Sequence, residues 1–130
     1  MNVLLVEDSP TQAILTSADL MKISSEIEVQ TAKTIREATR ATATQKYDLI
    51  VLDVTLPDGS GVELCRTFKK DAATKSIPIV MFSAERLTDL RRDAMAAGAE
   101  YCVTKGDTGT MTLNLIVTTI LKRAGRAKAS

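Results

Sequence analysis

Two carboxylates, Glu7 and Asp8, directly follow the apolar run Val3-Leu4-Leu5-Val6, and a third, Asp53, follows Leu49-Ile50-Val51-Leu52. Acids at the point where a buried strand turns into loop need a chemical reason, because an ionised carboxylate beside an apolar core is costly unless it is paired. Continuous apolar runs separated by helix-like stretches mark a parallel sheet covered on both faces, whose sites lie beyond the carboxyl ends of its strands. Glu7, Asp8 and Asp53 then converge. Like charges at that spacing repel unless a cation neutralises them, so the cluster predicts a hard divalent metal held by oxygen ligands. Two more residues reach the same edge: Ser83 after Ile79-Val80-Met81-Phe82, and Lys105 after Tyr101-Cys102-Val103-Thr104. Right-handed crossovers line these strand ends along one crevice. The set suits phosphoryl transfer, with Asp53 as the nucleophile that forms an acyl phosphate, the metal and Lys105 as fixed positive charges, and Ser83 as a hydroxyl donor to a phosphoryl oxygen.

The elements that must position these groups follow in regular alternation, as five strand-helix units. The first strand covers about Asn2 to Val6. The first helix starts at Pro10 with Asp8 or Ser9 as cap, and Ile14, Ala18 and Met21 are expected to face inward. Glu26 to Ala32 alternates Ile27, Val29 and Thr31 with charged or polar residues, which suits an edge strand. Thr34-x-x-Glu37 reads as a capping box for a second helix carrying Ile35, Ala38 and Ala41 towards the sheet. After the third strand, Leu56-Pro57-Asp58-Gly59-Ser60-Gly61 is turn chemistry and opens a helix that ends near Asp71. The fourth helix is expected to bury Leu87, Leu90, Ala94 and Ala97 before Gly98, and the fifth to bury Leu113, Ile116, Val117, Ile120 and Leu121. Residues 1–123 read as one domain, and Ala124 to Ser130 as a frayed tail or the start of a linker.

Composition excludes several classes. Histidine is absent from all 130 residues, so no Ser-His-Asp or Cys-His hydrolase and no typical histidine-rich zinc site can be built, and any phosphohistidine must come from a partner. A net charge of +1 gives no field that would draw the chain to nucleic acid or an anionic membrane. The apolar runs fall far short of the ~20 residues that span a bilayer, and residues 1–15 lack the pattern of a signal peptide, so a soluble cytoplasmic protein is expected. Cys65 and Cys102 sit in apolar segments without metal-like spacing and read as reduced core thiols.

From Asn2 to about Arg123 the chain resembles the receiver domain of two-component response regulators. The acidic pair after strand one, Asp53 followed by Leu56-Pro57 and Gly61, the hydroxyl and small residue at Ser83-Ala84, and the lysine after strand five carry the resemblance. It implies a flavodoxin-like, doubly wound α/β fold with a five-stranded parallel sheet in the order 2-1-3-4-5. It also implies phosphorylation of Asp53 by a sensor histidine kinase or histidine phosphotransfer protein, with magnesium bound by Asp8, Asp53 and the Thr55 carbonyl, and Glu7 acting mainly through water. Ser83, Lys105 and the Ala84 amide would hold the phosphoryl group, and Tyr101 would be the switch aromatic. The expected output is control of a partner protein or a fused output domain, by a switch that catalyses only its own phosphorylation and dephosphorylation. The family usually has proline after the lysine, in a cis bond. Here Gly106 follows, so the bond is either a strained cis or a trans bond in a different loop.

Other functions fit less well. A haloacid dehalogenase type phosphatase needs a second aspartate where this chain has Thr55, and a flavin carrier needs a phosphate loop where Glu7-Asp8 would repel the ligand. The serious rival is a receiver-shaped interaction module that signals without phosphorylation. An N-terminal receiver of a longer regulator is the alternative to a standalone one.

Overall fold

The structure, a computed structural model, describes residues 1–84 and 88–129. Its elements in chain order are β1 (Asn2–Val6), α1 (Pro10–Ile23), β2 (Glu28–Ala32), α2 (Ile35–Thr44), β3 (Leu49–Leu52), β4 (Thr55–Leu56), β5 (Gly59–Ser60), α3 (Gly61–Lys70), β6 (Ile79–Ser83), α4 (Thr88–Ala96), β7 (Tyr101–Thr104) and α5 (Asp107–Ala129). The main sheet has five parallel strands in the order β2-β1-β3-β6-β7. That is the expected 2-1-3-4-5 order, since β4 and β5 form a separate antiparallel hairpin after β3.

Side chains on a strand alternate between faces, and here the alternation divides the core in two. Leu4, Val6, Ile50, Leu52, Ile79 and Met81 pack with Ala38, Leu64, Cys65, Phe68 and Ala94 beneath α2, α3 and α4. Val3, Leu5, Leu49, Val51, Val80 and Phe82 pack with Leu20, Leu113, Val117 and Ile120 beneath α1 and α5. Leu52 is fully buried, and truncating such a residue to alanine costs about 2–5 kcal/mol. β2 lies at the sheet edge, with Val29 half-buried and Glu28, Gln30 and Thr31 exposed.

Two expectations differ from the structure. α1 buries Ala13, Thr16 and Leu20, whereas Ile14 is 70 % and Met21 50 % exposed. Both stripes have helical spacing, and the larger residues of α5 already fill this face of the sheet, so α1 presents mostly small side chains to it. Ile14, Ala18 and Met21 instead line a groove of about 420 Å³ beside Thr31 of β2. α5 continues through Ala129, because Ala124, Ala127 and Lys128 favour helix strongly enough to carry Gly125. In α4, Ala94 is buried and Leu90 partly so, followed by buried Ala97; Leu87 lies outside the described residues.

Candidate functional site

The carboxyl ends of β1, β3, β6 and β7 deliver Glu7, Asp8, Asp53, Ser83 and Lys105 to one edge of the sheet. In-register pairing of Val6 with Leu52, and of Ser83 with Thr104, sets each functional residue one step beyond a hydrogen-bonded pair or at its end. Further backbone bonds extend the pairing into the site: Asp53 N–H donates to the Val6 carbonyl at 3.1 Å, and Lys105 N–H to the Ser83 carbonyl at 2.7 Å. Glu7 N–H donates to the Ala32 carbonyl at 2.9 Å.

Glu7, Asp8 and Asp53 each offer a carboxylate oxygen within 4.8 Å of the others. A hard divalent cation with oxygen ligands fits that spacing. The three acids differ in setting: Glu7 is 3 % exposed, Asp53 half-buried and Asp8 exposed. Lys105 Nζ pairs with Glu7 Oε1 and stands 3.3 Å from Asp53 Oδ2. It lies 5.8 Å from the centroid of the Phe82 ring. Burial raises the Glu7 carboxyl above its ordinary value and outweighs the Lys105 charge and the Ser9 N–H, both of which favour ionisation; the Asp53 charge raises it further. Asp53 uses its other oxygen to accept its neighbour's N–H, Val54, at 2.7 Å. One carboxylate therefore faces both a lysine and the acidic cluster.

Ser83 is buried at the end of β6, and Ala84 is exposed at the bend that follows. Thr55 opens β4 on the exposed surface, opposite Ser60 of β5. Tyr101 is half-buried at the start of β7, against the core beneath α1 and α5. Glu7, Asp8, Asp53 and Lys105 thus meet directly, while Ser83, Ala84 and Thr55 border them and Tyr101 stands at the opposite end of its strand. Among the described residues every peptide bond is trans, Lys105–Gly106 included, and Gly106 takes φ +136°.

Asp58 is the contact that the sequence reading did not anticipate. Its carboxylate accepts the Ile35 N–H at 2.8 Å and the Arg36 N–H at 3.1 Å, the first two amides of α2. Thr34 Oγ1 accepts the next, Glu37 N–H, at 3.0 Å, so a local and a distant residue share one helix terminus. These backbone bonds hold the Asp58 carboxyl below its ordinary value. The loop after Asp53 is thereby tied to α2, and only the fold brings the two together.

The profile of the response regulator receiver domain matches residues 3–115. The chain is 35% identical over 104 residues to the KDP operon transcriptional regulatory protein KdpE of Escherichia coli, covering 80% of this chain and 44% of that protein. It spans less than half the length of the first curated relatives that it matches. Among solved structures it is similar to the receiver domain of a signal transduction histidine kinase from Syntrophus aciditrophicus, at 28% identity and TM-score 0.82, over 93% of this chain and 89% of that one. It is also similar to the receiver domain of a sensor histidine kinase from Pseudomonas aeruginosa, with a magnesium ion coordinated in its active-site cleft, at 25% identity and TM-score 0.80, over 93% and 97% of the two chains.

Proposed function

Because this chain belongs to the response regulator receiver family, whose members are signalling modules, we propose that it accepts a phosphoryl group on Asp53 from a phosphohistidine of a sensor kinase or phosphotransfer protein. The observation that carries the reading is the meeting of Asp53 with Lys105 on one side and Glu7 and Asp8 on the other. Asp53 Oδ attacks phosphorus, a P–O bond forms, and the P–N bond breaks with its electron pair staying on the imidazole nitrogen. Lys105 balances the charge of the transferred group as a fixed cation. Asp8, Asp53 and the Thr55 carbonyl would hold magnesium, with Glu7 acting mainly through water. When bound, magnesium would supply positive charge that offsets the charge of the attacking carboxylate and the transferred group. Ser83 and the Ala84 amide would hold those oxygens.

The output proposed is a change on the face made by α4, β7 and α5. Ser83 leads towards α4, Tyr101 opens β7 and Lys105 leads into α5. A phosphoryl group would favour the arrangement with Ser83 drawn in and Tyr101 buried, and a partner protein or fused output domain would read it. Among the described residues no helix is long and apolar enough to cross a membrane; a cytoplasmic module built from residues 1–123 is the setting proposed.

The test is mass spectrometry of the chain after incubation with acetyl phosphate and magnesium. One phosphoryl group should appear, be lost in Asp53→Ala and fall sharply with chelator. Full modification of Asp53→Ala, or labelling undiminished by chelator, would overturn the assignment. Amide shifts with beryllofluoride test the switch: they should spread to residues 90–97 and 101–104. Shifts confined to residues touching the mimic would favour a module that binds phosphate without switching.

A further inference from the structure

We propose that Gly109 is the positioning residue for Lys105, because it lets the first turn of α5 lie directly against the end of β7. Gly109 is buried, and a Cβ on its backbone would stand 1.8 Å from the Thr104 carbonyl oxygen and 2.9 Å from the carbonyl carbon. These distances lie well inside the ~3.5 Å at which non-bonded atoms begin to attract. Both opposing atoms belong to the backbone, so a side chain at 109 is accommodated only by moving the helix or the strand end. Thr104 is bonded to Lys105. Any such movement shifts the base of the lysine side chain.

The rest of Lys105 is already held. Its N–H is fixed on the Ser83 carbonyl at 2.7 Å, its Nζ reaches Glu7 and Asp53, and the Phe82 ring lies beneath it. The spacing between β7 and α5 is the remaining variable, and Gly109 sets it. The other glycine of this loop acts differently. A Cβ on Gly106 would meet no heavy atom within 4 Å, so its importance lies in its φ alone.

The inference rests on the phosphoryl-transfer reading of Lys105, and the experiment separates the two. Labelling by acetyl phosphate at saturating magnesium is followed in wild type, Lys105→Ala, Gly109→Ala and the double variant, with magnesium affinity measured alongside. Removing the lysine charge should slow labelling ~100-fold, and displacing it by Gly109→Ala about tenfold or more. The double variant should be no slower than Lys105→Ala, since two changes acting through one group are not additive. Magnesium affinity should stay or tighten in all three variants.

Wild-type labelling in Lys105→Ala would refute the reading of the site itself. A slow Lys105→Ala beside a normal Gly109→Ala, or a double variant about tenfold slower than Lys105→Ala, would refute the role of Gly109 alone. If Gly109→Ala lowers the folded fraction, trimethylamine N-oxide restores it before rates are taken. Failure to fold under those conditions also refutes the proposal, because Gly109 would then maintain the fold rather than the lysine.

Discussion

The loop after β3 and the loop after β7 each deliver one charged side chain to the same cleft and each close on a glycine packed against a carbonyl, but the first is tied to the rest of the fold by more directional bonds. Residues 53–61 are tied by directional bonds: Asp53 to Val54, the β4–β5 hairpin, and Asp58 to the first amides of α2. Residues 105–109 are anchored by the Lys105 N–H on the Ser83 carbonyl and by Gly109 against Thr104, the same close approach that Gly61 makes to Asp53, with Gly106 at a positive φ. The difference matches the role proposed for each loop. Carboxylate and carbonyl ligands of a small cation need fixed directions, which hydrogen bonds supply. An ammonium acts as a point charge whose influence falls only as the inverse of distance, so packing that sets its separation is sufficient.

The largest effect expected from breaking this comparison is on the metal. Asp8→Ala should weaken magnesium binding at least about tenfold, since one unit charge near a protein surface at 4 Å is worth up to about 4 kcal/mol. Lys105→Ala should leave that affinity unchanged or tighten it by removing a nearby positive charge. Isothermal titration calorimetry measures both, and the opposite pattern would overturn the assignment of Asp8 to the metal and Lys105 to the phosphoryl group. A smaller effect belongs to Gly106→Ala. Its φ of +136° is unfavourable for alanine although space is free, which should cost about 1–3 kcal/mol in denaturant unfolding while labelling stays near the wild-type rate.

The directional loop should show its character in acid. Folding lowers the Asp58 carboxyl from its ordinary 3.8, so the stabilisation is full above that value and is lost as pH falls through the lower folded value. The difference in melting temperature between wild type and Asp58→Ala should therefore be constant near neutrality and shrink in strong acid. A difference independent of pH would mean that the carboxylate charge is not what α2 uses. The smallest effect separates the two cysteines. Burial raises both thiols, Cys65 on α3 to about 11 and Cys102 on β7 in the same direction, but Cys102 is only partly buried. Alkylation with iodoacetamide near neutral pH should reach Cys102 first and Cys65 only on unfolding; equal rates would show that α3 opens as readily as the β7 side.

Much of this arrangement was legible in the sequence because apolar runs and acids sit at fixed places relative to one another. Leu49-Ile50-Val51-Leu52 can bury both faces only as a central strand, and Asp53 must then emerge at its end. Thr34 and Glu37 likewise carry their cap locally. The phase of α1 was not legible, since residues 13, 16 and 20 and residues 14, 18 and 21 have equivalent helical spacing and the choice depends on α5. Leu56-Pro57-Asp58-Gly59 reads as a turn, and nothing local shows that Asp58 reaches the amides of Ile35 and Arg36. Gly109 is similarly silent, because its function is the nearness of another segment's carbonyl.

The Asp58 contact also bears on the order in which the chain can assemble. It joins residues 23 positions apart, and α2 itself buries little beyond Ala38. Short helices with so small an apolar face are marginal alone. α2 therefore gains its full N-terminal stability only after β3 has docked and turned. In the folded protein the same dependence runs in reverse: solvent exchange at the Ile35 and Arg36 amides reports how often the segment that follows Asp53 opens.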